Sequence, residues 1–483
     1  MEQPLPQIPA AFIDPRGGNV AEVQALLQEG LDLLLKLMSE ATGRSPLPPL
    51  IQDLKAIATL PADPQTDWLP DLESLCHASM NAAHPGYMGH MDSLPTTVSI
   101  IGDLLVAALN NNLLSVEMSP VFSRLEALLL AEVAGLFSLG PQGGGLLTSG
   151  GTLANLAALT AARNRAFPQA LTAGMMGMGR PVILASELVH TSIHKAAMIL
   201  GLGTEAVIAL KTDERGQVDL EDLQNQLKTA RAQGQTPFAL VGIAGTTVTG
   251  NIDPLGAMGA IAHDHGLWFH VDAAYGGAVI FSAAEKHRLE GIEQADSITF
   301  NPQKWLYVAK TCAMVLFRAF DRLPAQIQIP APYMDQAPDC PNLGEISIQG
   351  TRHADILKLW LSFQHLGRSA YGALIDRSYD LTRHFLHHIA QRPDLTLATL
   401  PEMNIICFRA TPAHLPPEAW DDWNRELQQC LTAQGDFFLS LPRYRGNLWI
   451  KAVLLNPYTE RSHLDHLFAQ IDQFTTQNKK PHS

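Results

Sequence analysis

Apolar positions change their spacing twice along this chain. In NVAEVQALLQEGLDLLLKLMSEATG they recur every three to four residues and run into the proline-rich SPLPPL. That is the period of one helix face, so a helical N-terminal arm ending near residue 45 is predicted, packed on something outside its own segment. From about residue 85 to 318 the pattern shortens: PVILAS, AVIAL, FALVGIAG, LWFHVDAA, SITFN and AMVLFR each read as buried strands. LANLAALTAARNRA, LEDLQNQLKTARAQ and LGAMGAIAHDHG lie between several of them at helical spacing. Strands alternating with helices predict an α/β fold with a mostly parallel sheet. After a proline-rich loop at 320–344, GTRHADILKLWLSFQHLG opens a long helix, and NIICFRA, NLWIKAVLL and RSHLDHLFAQIDQF predict a smaller α+β domain. The expected division is an N-terminal helical arm (1–84), a large domain (85–365) and a small C-terminal domain (366–483), with no internal repeat.

Composition narrows the function. A chain of 483 residues exceeds one compact core, and 46% apolar with 17% charged residues supports folded structure throughout. With 33 basic against 47 acidic residues the net charge is −14, and no Lys/Arg block stands out. This argues against nucleic acid or an anionic membrane as main partner and favours small-molecule chemistry. The start lacks a basic segment followed by an apolar one, and every long apolar stretch is broken by charge or glycine, so a soluble, cytoplasmic protein is expected. The 5 cysteines (Cys76, Cys312, Cys340, Cys407, Cys430) are scattered without a CxxC, which indicates neither a disulfide framework nor a zinc site. The pairs His263/His265 and His387/His388 have no carboxylate or cysteine at ligand spacing, so no metal is expected there either.

Four stretches carry candidate chemistry. GGGLLTSGGTLANLAAL is a Gly/Ser/Thr turn opening into a helix; with Ser149 and Thr152 it suits a phosphate, or Thr152 simply caps the helix. LWFHVDAAYGGAV ends a strand on Asp272 among small residues that would let a flat ring approach; the carboxylate either partners a protonated ring nitrogen or caps the next element. Lys304 follows SITFN among apolar neighbours, where desolvation would make it a nucleophilic amine suited to an imine, unless it reaches out to water. His190, in LASELVHTSIHKAA, lies near a helix start and could cover an aromatic ring or cap the helix. Taken singly, each has an ordinary structural explanation. Taken together, phosphate cradle, ring partner, imine lysine and stacking histidine describe a site for pyridoxal 5′-phosphate (PLP).

The order and spacing of TSGGTLAN, ELVHTSIHKA, GTTVTGNIDP, HVDAAYGG and NPQKWL, followed by GTRHADILKLW, resemble the group II (fold type I) PLP-dependent amino-acid decarboxylases. The resemblance runs from about residue 84 to the C-terminus and is strongest to the variants acting on glutamate and cysteine sulfinate. It implies a seven-stranded sheet in the large domain and a homodimer with its sites at the interface. Residue by residue, it implies that Lys304 holds the cofactor as an imine and that Asp272 pairs with the pyridine nitrogen. His190 would stack on one ring face and Ala274 pack on the other. Ser149, Gly151 and Thr152 match the phosphate cup, Asn301 a further phosphate contact, and Thr247 a position near the ring's oxygen substituent. His90 and Asn112 fall on positions lining the substrate pocket. Tyr333, in the proline-rich loop, matches a tyrosine that returns a proton to Cα at the neighbouring subunit's site.

Two positions depart from the pattern. Gln303 stands where the family has histidine, which removes a titratable group but not a positioning one. Lys451, in LWIKAVLLNP, stands where acidic-substrate members have arginine, offering a point charge in place of a bidentate fork, or a solvated charge on an edge strand. The expected activity is that of a PLP-dependent L-amino-acid α-decarboxylase acting on glutamate, aspartate or cysteine sulfinate. The alternatives are an aromatic or diamino-acid decarboxylase, an aminotransferase or other fold type I enzyme, and an inactive PLP-binding scaffold.

Overall fold

The predicted apolar runs all form strands, and one more joins them. In the computed structural model, which describes residues 10–49, 54, 57–62, 67–332, 334 and 340–478, the large sheet contains β1 (Gly144–Thr148), β2 (Arg180–Ser186), β3 (Val207–Leu210), β4 (Gln235–Ile243), β5 (Trp268–Asp272), β6 (Ser297–Phe300) and β7 (Ala313–Phe317). Their order is β1-β7-β6-β5-β4-β2-β3. Only β7 runs against its neighbours, β1 and β6; the other pairings are parallel. Strand β1 was legible only as a turn, because its glycines hide it. A Cβ on Gly145 would stand 2.5 Å from the Val315 carbonyl oxygen, so glycine here lets β1 lie close against β7.

Side chains alternate between the two faces, and both faces are buried. Leu147, Leu184, Leu240 and Leu316 enter one core, while Leu146, Ile183, Val241 and Val315 enter the other. This period of two, with helices on both sides, is why the strands read as continuous apolar runs. The helix Gly151–Ala166 is alanine-rich and buried along most of its length, so it lies close to the sheet and carries Asn155 inward.

A second, antiparallel sheet is formed by β8 (Leu395–Leu397), β9 (Ile405–Ala410) and β12 (Ile450–Val453), in the order β12-β9-β8, with a short ribbon of β10 (Arg443–Tyr444) and β11 (Asn447–Leu448). Its core is covered by the helices Trp420–Ala433 and Arg461–Gln477. The free side of β12 is closed by backbone: Lys451 exchanges hydrogen bonds with Ser440 (2.8 and 3.2 Å), and Val453 N–H donates to Met88 O (2.7 Å). Residues 86–88 are stitched in further by Phe438 N–H to Gly86 O and Met88 N–H to Phe438 O, both 2.9 Å.

The predicted long helix spans Ile356–Ala390 but is interrupted at Gly367 (φ 63°, ψ 175°), where only glycine is unstrained. The N-terminal arm is helical over Val20–Ser39 and buries only Val23 and Leu37. Among the described residues no helix is long and apolar enough to cross a membrane.

Candidate active site

Each strand of the parallel region ends on the same side, and the loops beyond those ends converge on a cavity of about 180 Å³. Gly151 and Thr152 come from the helix after β1, His190 from the loop after β2, and Thr247 from beyond β4. Asp272 and Ala274 come from the end of β5, and Asn301 and Lys304 from the turn after β6. A larger groove of about 570 Å³ lies elsewhere, between Met38 of the arm and Ile100 and Leu366 of the body. No amine or carboxylate lines it, so the chemistry belongs to the smaller cavity.

Asp272 is 7% exposed and fixed by two donors: Asn155 Nδ2 to Oδ2 (2.9 Å) and the Ala274 N–H to Oδ1 (3.1 Å). Asn155 Nδ2 also donates to Ser192 Oγ (2.8 Å), so its Oδ1 is left to accept from His270 Nε2 at 3.0 Å. That assignment puts the His270 proton on Nε2 and leaves Nδ1 to accept from Ser297 Oγ (2.9 Å), which itself accepts from Trp268 Nε1 (2.7 Å). Burial drives the His270 pKa down to about 4 against the pull of Asp272, so the imidazole is neutral and does not compete as a cation for the carboxylate.

Lys304 lies in a tight turn, its N–H donating to Asn301 O (3.0 Å) and its carbonyl accepting from Ser93 Oγ (3.0 Å). The next residue, Trp305, is fully buried and stacked on Tyr275 at 5.0 Å, which fixes the turn. Burial lowers the Lys304 pKa, opposed by Asp272 and Asp92, and so favours the neutral amine. Gln303 does not line the cavity. Its Oε1 accepts from the Cys312 N–H (2.6 Å) and its own N–H donates to Cys312 O (3.1 Å), clipping the turn to the start of β7.

Several alternatives left open by the sequence are resolved. His190 both caps and lines: its Nδ1 accepts from the Ser192 N–H (3.2 Å) at the start of the helix Thr191–Ile199, while the ring borders the cavity. Its pKa is lowered, chiefly by burial, with Asp272 acting in the opposite sense. Thr152 is not a cap; Gly150 holds that position and no side chain satisfies the first N–H groups of the helix. Of the small residues after Asp272, Ala274 borders the cavity, but Gly276 and Gly277 do not make room for a ring. A Cβ on Gly276 would stand 2.4 Å from Ala244 O, and one on Gly277 2.6 Å from the Phe300 ring. Lys451 is 5% exposed rather than solvated, with Nζ donating to Thr247 O at 3.4 Å. Its pKa is lowered by burial first and by Lys304 as well, which places the two amines in one electrostatic neighbourhood. His90 is open to solvent on one side and packs edge-on to Phe438 at 5.4 Å on the other; its pKa is lowered by the partial desolvation of the ring first and by Lys451 as well.

Besides His90 and Lys451, two expected residues within the described structure, Ser149 and Asn112, stand apart from the cavity lining. Ser149 is exposed, its N–H donating to Gln349 Oε1 (3.2 Å). Asn112 Oδ1 accepts from the N–H groups of Leu114 (3.0 Å) and Arg352 (3.1 Å). Tyr333 lies outside the described residues. Conversely, Asn155, Ser192 and His270 escaped the sequence reading. His270 stands two positions before Asp272 on β5, hence on the same face, and Asn155 is a polar residue in an otherwise apolar helix; both were available signals.

The residues fit PLP. Asn301 lies beside the uncapped helix start, and because its buried Oδ1 has no protein partner, the amide is free to turn its Nδ2 donor toward a phosphate. A Cβ on Gly151 would meet Asn301 Nδ2 at 2.9 Å, so glycine keeps that cradle open. Opposite stand a desolvated amine and a buried carboxylate, the partners an aldehyde and a ring nitrogen require. Residues 51–411 match the family described as the pyridoxal-dependent decarboxylase conserved domain. The chain is 32% identical over 446 residues to aspartate 1-decarboxylase of Aliivibrio fischeri, covering 83% of this chain and 81% of the relative. It is 30% identical over 440 residues to cysteine sulfinic acid decarboxylase of Mus musculus, covering 87% and 89%. The crystal structure of mouse CSAD in apo form superposes with a TM-score of 0.88 at 28% identity, over 94% of this chain and 99% of that one. With the cavity, its amine and its carboxylate where that chemistry needs them, the chain belongs to the pyridoxal-dependent decarboxylase family and is a PLP-dependent amino-acid carboxy-lyase.

Proposed function

We propose that the substrate is an acidic L-amino acid, glutamate, aspartate or cysteine sulfinate, and that the side-chain anion is read by Lys451 with His90 beside it. The observation that carries this reading is the burial of Lys451: an amine 5% exposed, with one carbonyl at 3.4 Å and a pKa lowered by burial, is stabilised as an ammonium when an anion joins it. The names of relatives that decarboxylate aspartate and cysteine sulfinate support the same class.

PLP, when bound, supplies the electron sink for the pair that departing CO2 leaves on Cα. The protein's part is divided among named groups. Lys304 is the amine that holds the cofactor, and its burial favours the nucleophilic form. Asp272 keeps a proton at the ring nitrogen, and Asn155 and the Ala274 N–H aim the carboxylate. Gly151, Thr152, Asn301 and the neighbouring Ser149 hold the phosphate, His190 and Ala274 bracket the ring, and Thr247 borders it. Asn112 belongs to the substrate pocket, the homodimer contacts complete the site from the subunit boundary, and Tyr333 returns the proton to Cα. The apolar side chains left exposed on the helix Val20–Ser39 support the dimer: Leu27 is 52%, Leu31 45% and Leu35 57% exposed.

The test is CO2 release across the proteinogenic amino acids plus cysteine sulfinate and diaminobutyrate, in wild type and Lys451→Met. The acidic substrates should lead, and the variant should raise their KM tenfold or more with the bound-PLP absorbance unchanged. A wild type that prefers tyrosine or tryptophan, or a variant with unaltered KM, would overturn the substrate assignment.

A further inference from the structure

We propose that His384, His388 and Asp465 form a binding site for a divalent transition-metal ion of the zinc type, remote from the PLP cavity. His384 and His388 are four apart on the helix Ile356–Ala390, so their rings share one face. Asp465 reaches them from the helix Arg461–Gln477, far away in sequence, which is why no ligand spacing was legible along the chain. The pair that converges is not His387/His388; His387 turns instead to Gln391 (2.9 Å).

The three ligand atoms already share one small volume. His384 Nε2 and His388 Nε2 are 3.3 Å apart, and Asp465 Oδ1 lies 2.7 and 2.8 Å from them. Two nitrogens each about 2.0–2.1 Å from a tetrahedral zinc would stand roughly 3.3–3.4 Å apart. The imidazole pair therefore needs no rearrangement, and only the carboxylate must draw back by a fraction of an ångström. His388 is held by stacking on Phe468 (4.5 Å, 10°), and the side chains are 21%, 15% and 56% exposed, open to entry from solvent and to a water as further ligand.

One neighbour opposes binding. Arg392 Nη1 faces His388 Nδ1 at 3.2 Å, yet ligation through Nε2 places the ring proton on Nδ1. Arg392 must release that contact while keeping its paired bonds to Asp472 (2.8 and 2.8 Å) and its bond to His388 O (2.9 Å). The site is therefore expected to be weaker than a closed four-ligand structural one. An occupied site would clamp the C-terminal helix to the long helix.

The experiment is calorimetric titration of chelator-washed holoenzyme with ZnCl2, with MgCl2 as control. We expect one zinc equivalent per chain that is lost in His384→Gln, weakened at least tenfold in Asp465→Asn and tightened several-fold in Arg392→Gln. The wild-type melting temperature should rise with zinc and that of His384→Gln should not. CO2 release should be the same in wild type and His384→Gln. If no zinc binds, or if the stoichiometry and affinity persist in both His384→Gln and Asp465→Asn, the triad is only a hydrogen-bonded surface cluster.

Discussion

His270 does not border the cavity, yet hydrogen bonds tie it through Asn155 to the carboxylate that does. It is buried in the hydrogen-bonded line Trp268–Ser297–His270–Asn155–Asp272, and its folded pKa of about 4 lies below the ordinary histidine value of 6.5. A depressed folded pKa means that the stability due to this group is complete above pH 6.5 and drains away as pH falls toward 4, because the unfolded chain takes up a proton that the folded one refuses. The slope reaches about 1.4 kcal/mol per pH unit within that window. Urea unfolding at pH 7, 6 and 5 should show a steeper loss in wild type than in His270→Gln; parallel profiles would mean that the histidine titrates normally. At this scale the sequence was most informative where chemistry demands a residue type: Lys304, Asp272, His190 and the glycine turn were legible. The supporting line was not, since His270 and Asn155 stood out only singly and its members come from three different segments that meet only on folding.

Elements were legible where the apolar period was clean, and obscured where glycine interrupts it. The strands Arg180–Ser186 through Ala313–Phe317 follow the predicted runs, while Gly144–Thr148 hid among glycines and the Ile356–Ala390 helix concealed its break at Gly367, just past the expected domain limit at 365. The Gly-Gly after β5 misled for a related reason: it serves the core, not the ring. A Cβ on Gly276 would come within 2.1 Å of Met403 Cε and 2.4 Å of Ala244 O, the second being backbone that cannot step aside. Gly276→Ala should therefore cost about 1–3 kcal/mol through overpacking. It should also loosen the end of β4 that leads to Thr247, so a melting curve and a PLP-occupancy measurement should fall together. Unchanged melting would show that the 276–281 turn shifts freely.

At the scale of the whole molecule, the apolar side chains exposed among the described residues include the stripe on Val20–Ser39 and Ile101, Leu104, Leu105 and Leu109 on the helix Thr97–Leu109, the latter four each 46–58% exposed. Burying one leucine is worth about 1.5–3 kcal/mol, so a second copy covering several would bind firmly. If the proposed homodimer forms through the Val20–Ser39 stripe, Leu31→Glu with Leu35→Glu should shift sedimentation toward the monomer and lower activity with it. A variant that stays dimeric and active would assign the association to another face.

The pairing of Gly86–Met88 with Phe438 and Val453 joins stretches 350 residues apart (438 − 88). On a ribosome, the first half of that seam is made some 350 residues before its partner. The seam thus cannot close until residues 438–453 have emerged, and contacts of such long range are the slow ones to form. Until then, Met88 and its neighbours remain an apolar segment without a seat, and the nascent chain depends on whatever shields it during that wait.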